Sequence, residues 1–279
     1  MYTILKLILL ICIICVIINV GSCKHAIRDG CNYDIKTHGF TVINGLFNQT
    51  DINNVNEMVH NNADLREIRT YVVNRVEYKL QEILENSNYV FQDYLLEISN
   101  AEVHTCHRDF NGDFSNKGQQ YPSYTLVIYL EQMLNGCMNV EVGSHKKLNM
   151  FHLTNKSQSI MCSPGDALLF DANLIHAGVI GNPGTGRRLQ MKLTHKNDVS
   201  TIDYYENYYK RINKPNVFPD VIKHIQQHIS CQQSIMSDSS QQLSIQKAKG
   251  EGKGAASFLQ KLYSLCFYGD WNYYDLKNT

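Results

Sequence analysis

The chain has 279 residues, 43% of them hydrophobic and 19% charged, with 26 Lys+Arg against 26 Asp+Glu. A formal net charge of zero excludes the basic surplus of a nucleic-acid-binding protein and the acidic excess of a solvating tail. The composition is that of a folded protein of one or two domains, and nine cysteines are too dilute for a small disulfide scaffold.

The first element is apolar. Leu7 to Val20 reads LILLICIICVIINV, with Asn19 as its one polar member, Lys6 ahead of it and the small residues Gly21, Ser22 and Cys23 behind. This is the pattern of a signal-peptide core with a cleavage site, and it is shorter than the about 20 apolar residues of a membrane span. Residues 1–23 are therefore expected to be a cleaved signal peptide, with an uncleaved signal-anchor as the alternative. Either places the rest of the chain in the secretory pathway, lumenal or extracellular, with a membrane touched only through this segment. The acceptor triplets Asn48-Gln49-Thr50 and Asn155-Lys156-Ser157 agree weakly with that location. Cys31, Cys231 and Cys266 lie outside the apparent core and are the expected disulfide formers. Cys106, Cys137 and Cys162 fall in or beside strands and are expected to be plain buried residues.

Gly39-Phe-Thr-Val-Ile43 reads as a strand, closed by a turn at Asn44-Gly45. Leu65, Ile68, Val72, Val76, Leu80 and Ile83 recur at spacings of three and four, which predicts an amphipathic helix over 63–85. From 97 to 195 short apolar runs alternate with Gly and Pro punctuation, as in Tyr124–Leu130, Ala167–Phe170 and Leu189–Leu193, and predict strands. Residues 203–229 read as helical. Residues 231–257 are rich in Ser, Gln, Gly and Lys and read as a linker, and the aromatic tail from Phe258 could dock back onto the domain. The fold class expected is mainly β with flanking helices.

The chemistry lies in the β-rich centre. In a strand, alternate residues share a face, so Val103, Thr105, His107 and Asp109 are expected to point one way and His104 and Cys106 the other. His107 and Asp109 then offer an imidazole and a carboxylate to one point. A second imidazole follows the apolar strand 167–170, at His176. Two His and one carboxylate form the facial triad of non-haem Fe(II) oxygenases, with the remaining positions open. On these residues alone the ordinary reading, a surface strand with a solvated Asp109 and a packed His176, stays open. Ser163-Pro-Gly-Asp166 and Asn135-Gly136 are turns in their own right. In the stretch after Gly186, Arg188 shares a face with Gln190 and Lys192, and Arg187 shares one with Leu189, Met191 and Leu193. A barrel with helices packed outside would turn the apolar face outward, which favours Arg188 over Arg187 as a bidentate fork for a dicarboxylate.

Together these pieces carry a family resemblance. Asn135-Gly-Cys-Met-Asn-Val-Glu-Val-Gly-Ser-His145 resembles the signature segment of the phytanoyl-CoA dioxygenase-like family. The order His107-x-Asp109, Pro-Gly-Asp166, His176-Ala-Gly, Asn182 and Arg188 is similar too, as is the opening Asp34-Ile-Lys-Thr-His-Gly-Phe. Val142 stands where the family usually has Pro. The resemblance covers roughly residues 34–196. It implies a double-stranded β-helix (jelly-roll) within an oxygenase domain over 24–230, and leaves the 231–257 linker and the aromatic tail over 258–279 uncovered. It implies His107, Asp109 and His176 as iron ligands and Arg188 as the 2-oxoglutarate anchor. Fe(II), 2-oxoglutarate and O₂ are the implied cofactor and cosubstrates, with ascorbate an additional candidate. The implied activity is hydroxylation of a small-molecule, lipid or peptidyl substrate, with release of succinate and CO₂. The Tyr124–Leu130 strand also resembles prolyl 4-hydroxylase-like relatives. A catalytically inactive secreted binding protein on the same fold is the alternative.

Overall fold

The computed structural model describes residues 25–27, 33–109, 119–147, 153, 157–182, 186–201, 205–232 and 258–271. The expected signal segment, Cys31 and nearly all of the 231–257 linker lie outside the described residues. Among the described residues no helix is long and apolar enough to cross a membrane.

Eleven strands are found in the described chain: β1 His25–Ile27, β2 Phe40–Ile43, β3 Tyr89–Phe91, β4 Tyr94–Ser99, β5 Tyr124–Tyr129, β6 Met138–Glu141, β7 Ser157–Ile160, β8 Ala167–Asp171, β9 His176–Ala177, β10 Arg188–His195 and β11 Tyr208–Asn213. They form two sheets. The larger runs β11-β4-β10-β5-β8-β2, with β3 also paired to β10, and the smaller runs β1-β7-β6-β9. From β5 onward the chain crosses to the small sheet for β6 and β7, returns for β8, crosses for β9 and returns for β10. This alternation gives the jelly-roll its double-stranded winding. Phe40, Val127, Tyr129, Leu168 and Phe170 of the large sheet pack against Met138, Val140 and Ile160 of the small one. The metal-ligand candidates lie in that interior.

Helices α1 Ile35–His38, α2 Gln49–His60 and α3 Leu65–Leu84 precede the barrel. In α3, Leu65, Ile68, Val72, Val76, Leu80 and Leu84 are buried, and Ile83 is only partly so, because the stripe continues from Leu80 by four. Asp64 caps the first turn. This stripe packs on Leu126, Ile128, Leu169, Leu189, Met191 and Leu193, the outer face of the large sheet. The apolar face of β10 is thus turned to the helices, and Arg188, Gln190 and Lys192 turn inward, as the strand alternation requires.

Two expectations are corrected. Residues 208–213 are not helical: β11 pairs in parallel with β4 over six positions, Tyr208 opposite Tyr94 through Asn213 opposite Ser99. Pro215 and Pro219 bar a helix through this stretch, and the open edge of β4 supplies the backbone partners. The helix, α4, begins only at Asp220 and runs to Gln232. The cysteines differ as well. Cys137 and Cys162 form a disulfide, while Cys266 is exposed and free and Cys106 is buried. Antiparallel pairing of β6 with β7, Met138 opposite Ile160, brings the cysteines flanking the end of the ladder to a Cα separation of 5.8 Å. That lies within the range a disulfide requires. With a sequence separation of 25 between the two positions, the bond should stabilise the fold by about 3.5 kcal/mol on the chain-entropy relation. Replacing both by Ser should lower the melting temperature by about 7–14 °C, and reductant should lower the wild type equally.

The C-terminal helix α5, Phe258–Tyr268, docks on the domain. Tyr263 and Tyr268 are buried against Val103, and the Tyr268 hydroxyl pairs with Thr105 Oγ1.

Candidate metal centre

His107 and His176 are 69 positions apart in the chain yet directly opposite in space. Each donates its main-chain N–H to the other's carbonyl at 2.9 Å, an isolated antiparallel bridge beside β9. Opposed residues in such a pair project to the same side. The interior side is set by Val140, the partner of His176 in β6. Asp109 follows two residues on, anchored by its N–H to the Ala172 carbonyl at 2.8 Å.

The donor atoms are well defined. His107 Nδ1 lies 2.8 Å from the Thr105 carbonyl and His176 Nδ1 lies 3.0 Å from the Leu174 carbonyl. A carbonyl only accepts, so both Nδ1 atoms carry a proton, and Nε2 is in each ring the nitrogen turned to the candidate metal point. Asp109 Oδ1 sits 3.7 Å from His107 Nε2 and 3.6 Å from His176 Nε2. Donors about 2.1 Å from one ion cannot be more than about 4 Å apart, so these separations fit a shared metal. The three ligand atoms all lie within 4.8 Å of one another, the sole such group of three found among the described residues. Asp109 Oδ2 is taken up elsewhere: it accepts from Thr125 Oγ1 at 2.6 Å and faces Gln190 Nε2 and Lys192 Nζ, each at 3.5 Å.

The electrostatics suit a cation. Burial would raise the Asp109 pKa, but Lys192, the two imidazoles and the Thr125 hydroxyl outweigh it and hold the carboxyl well below the usual range. Burial, then the neighbouring His107, pushes His176 down to about 4, so its imidazole is neutral and able to ligate.

The motif residues outside the candidate triad hold these segments together. Arg108, buried between His107 and Asp109 in the chain, donates to the carbonyls of Ser144, Lys147 and Asn173, tying the His-x-Asp stretch to the approach to His176. Ser144 Oγ accepts from the Ile175 N–H at 2.8 Å. Asn135 and Asn182 exchange bonds between their loops, with Asn182 Nδ2 donating to the Gly136 carbonyl at 2.9 Å. Gly178 passes so close to the Val103 carbonyl that a Cβ could not be added.

Arg188 and Arg187 part company as their strand positions demand. Arg188 faces the interior on the Gln190 and Lys192 side, its guanidinium donating to the carbonyls of Gly186 and Ala101. Arg187 points to the helices, donating to Asn56 Oδ1 at 3.1 Å and facing Glu97 Oε1 at 3.6 Å.

A family model described as "Phytanoyl-CoA dioxygenase (PhyH)" matches residues 32–188, more than half of the chain. The chain belongs to the phytanoyl-CoA dioxygenase family. It is thereby one of the 2-oxoglutarate- and iron-dependent oxygenases, and the matched span includes His107, Asp109, His176 and Arg188. Among solved structures, EvdO2 from Micromonospora carbonacea var. aurantiaca is 12% identical, with 61% of this chain and 91% of that one covered and a TM-score of 0.47. HygX from Streptomyces hygroscopicus, solved with nickel and 2-oxoglutarate bound, is 15% identical, with 61% and 87% covered and a TM-score of 0.46. AviO1 from Streptomyces viridochromogenes Tue57 is 16% identical, with 58% and 91% covered and a TM-score of 0.45. No curated protein sequence matches the chain significantly.

Within this family member some residues near the site depart from the strand-alternation expectation. Thr105 and Val103 turn to the C-terminal helix rather than toward the metal point, because residues 101–106 have no ladder to impose a pleat. His104 does point away from the site. It is fully buried, with Nδ1 accepting from Asn216 Nδ2 at 3.1 Å and Nε2 donating to Gln226 Oε1 at 3.0 Å. Burial depresses its pKa from 6.5 to about 4. The folded state therefore binds this proton more weakly than the unfolded chain does, so the contribution is complete above pH 6.5 and lost as pH falls toward 4. Melting curves taken across that window should fall more steeply for the wild type than for His104→Gln.

Thr125, Lys192 and Arg108 carried no functional signal in the sequence. Lys192 stood on the polar face of a recognisable strand, but Thr125 is hidden in an apolar run and Arg108 is the unconstrained middle of His-x-Asp.

Proposed function

We propose that the protein is a 2-oxoglutarate- and Fe(II)-dependent dioxygenase that hydroxylates an organic substrate in the secretory pathway. His107, Asp109 and His176 would be its metal ligands and Arg188 its 2-oxoglutarate anchor. The observation that carries this reading is the convergence of two imidazole Nε2 atoms and one carboxylate oxygen within 4.8 Å, with the outer atoms of all three side chains held by hydrogen bonds.

Bound Fe(II) supplies the redox chemistry that couples breakdown of 2-oxoglutarate to succinate and CO₂ with hydroxylation of a substrate C–H bond. The chain's own residues set its conditions. Three protein donors on one side leave the remaining positions open for cosubstrates. Arg188 lies two positions along the inner face of β10 from Gln190, which reaches Asp109. It can pair in bidentate fashion with the distal carboxylate of a diacid oriented from the metal. Phe170, with its ring 4.7 Å from that of His176, screens one side of the site from water. The retained carboxylate at Asp109 supports hydroxylation over halogenation, which needs a vacant position there.

The test is succinate release by the purified protein with Fe(II) and 2-oxoglutarate, run across lipid, peptidyl-proline, sugar and small-metabolite substrates. Succinate that depends on Fe(II) and rises with one class names the substrate. Metal binding with no turnover of 2-oxoglutarate under any condition would replace the reading with an inactive binding protein.

A further inference from the structure

Asp109 has little main-chain support. Between Ala101 and Asp109 the ladder is reduced to the His107–His176 bridge, and Asp109 itself is held by one main-chain bond to Ala172. The direction of its carboxylate is therefore set by side chains. Thr125 and Gln190 each reach Oδ2 alone. Lys192 reaches further: its Nζ is 3.5 Å from Oδ2 and 3.3 Å from the Asp109 carbonyl oxygen, so it grips side chain and main chain together. It faces Thr125 directly across the β10–β5 ladder. The rings of Tyr94 and Tyr205, at 5.6 and 5.4 Å, hold the ammonium.

Lys192 is 3% exposed. Burying an ammonium is costly even when it is paired, and a methionine of similar length would fill the same space without that cost. The charge is retained where its donors meet the one carboxylate of the ligand set, on the oxygen that turns away from both imidazoles. The geometry points to Lys192 as a positioning residue that makes Asp109 a one-oxygen ligand and so keeps a neighbouring coordination position open for 2-oxoglutarate. The inference rests on the metal-centre reading above. Carboxylates bind metals through one oxygen or two. Without the grip of Lys192 the second oxygen can swing in and occupy the position the cosubstrate needs.

The test uses the full-length protein loaded with Co(II), whose visible absorption reports coordination number, and needs no turnover. Lys192→Met and Lys192→Gln remove the charge, and Lys192→Arg keeps it. Both neutral variants are expected to show an altered Co(II) spectrum and about tenfold weaker 2-oxoglutarate binding followed by that spectrum, with Lys192→Arg close to wild type. A wild-type spectrum and affinity in a neutral variant that melts cooperatively overturns the inference, whatever its melting temperature. Unfolding of both neutral variants beside a folded Lys192→Arg also overturns it, since Lys192 is then a stability residue alone. A wild type without a Co(II) band, or a His176→Ala variant with the unchanged band, removes instead the metal-centre reading itself.

Discussion

His176→Ala should fold and yet lose the response to metal. In the wild type, Fe(II) with 2-oxoglutarate at about a hundred times the dissociation constant should add about 2.7 kcal/mol of stability, seen as a rise of about 5–10 °C in melting temperature. In the variant the rise should vanish, because the site keeps one imidazole and one carboxylate and loses the donor 3.6 Å from Asp109 Oδ1. The substitution spares the scaffold. The bridge to His107 uses the main chain of residue 176, and Ala retains both of its bonds. Differential scanning fluorimetry under anaerobic conditions makes the measurement. An equal shift in both proteins would move the metal elsewhere.

Arg188→Ala should separate the cosubstrate from the metal. Removing one partner of a buried charge pair costs about 2–5 kcal/mol, so 2-oxoglutarate should bind roughly thirtyfold more weakly or worse while Co(II) binding persists. Arg188→Lys should fall between, since it keeps the charge and loses the fork. Arg187→Ala is the matched control. Its side chain lies on the outer face with Asn56 and Glu97, so it should lower the melting temperature by leaving Glu97 with Arg211 as its remaining cation, and leave 2-oxoglutarate affinity untouched. Titration of 2-oxoglutarate into the Co(II) forms of the three variants decides. If Arg187→Ala is the one that loses affinity, the strand-face assignment is wrong.

Both expectations depend on features that differ in how far local sequence determines them. The α3 helix is legible because Leu65, Ile68, Val72, Val76 and Leu80 repeat with the helical period and their burial needs only an apolar surface to meet. The strands β5, β8 and β10 are legible as apolar runs between turns, and the alternation in β10 assigns Arg188 and Arg187 to opposite faces before any partner is known. The residue types that converge at the candidate metal centre, two His and one Asp, are legible from motif order. Local pattern misleads at β11, where Tyr208–Asn213 resembles a helix start until the edge of β4 claims its backbone. It misleads again at Cys137 and Cys162, whose pairing follows from the register of β6 against β7 and not from their position relative to the core.

By itself, the sequence determined the helix stripe, the two faces of β10, the residue types that meet at the candidate metal centre and the family, because periodicity and motif order are properties of neighbours along the chain. The tertiary structure alone decided that His107 stands opposite His176, that Cys137 joins Cys162, and that Thr125, Gln190 and Lys192 meet on one oxygen of Asp109. These depend on which strands pair and in what register. Register is set by burial of whole sheet faces against one another, and that is a property of the folded chain, with no local trace in the sequence.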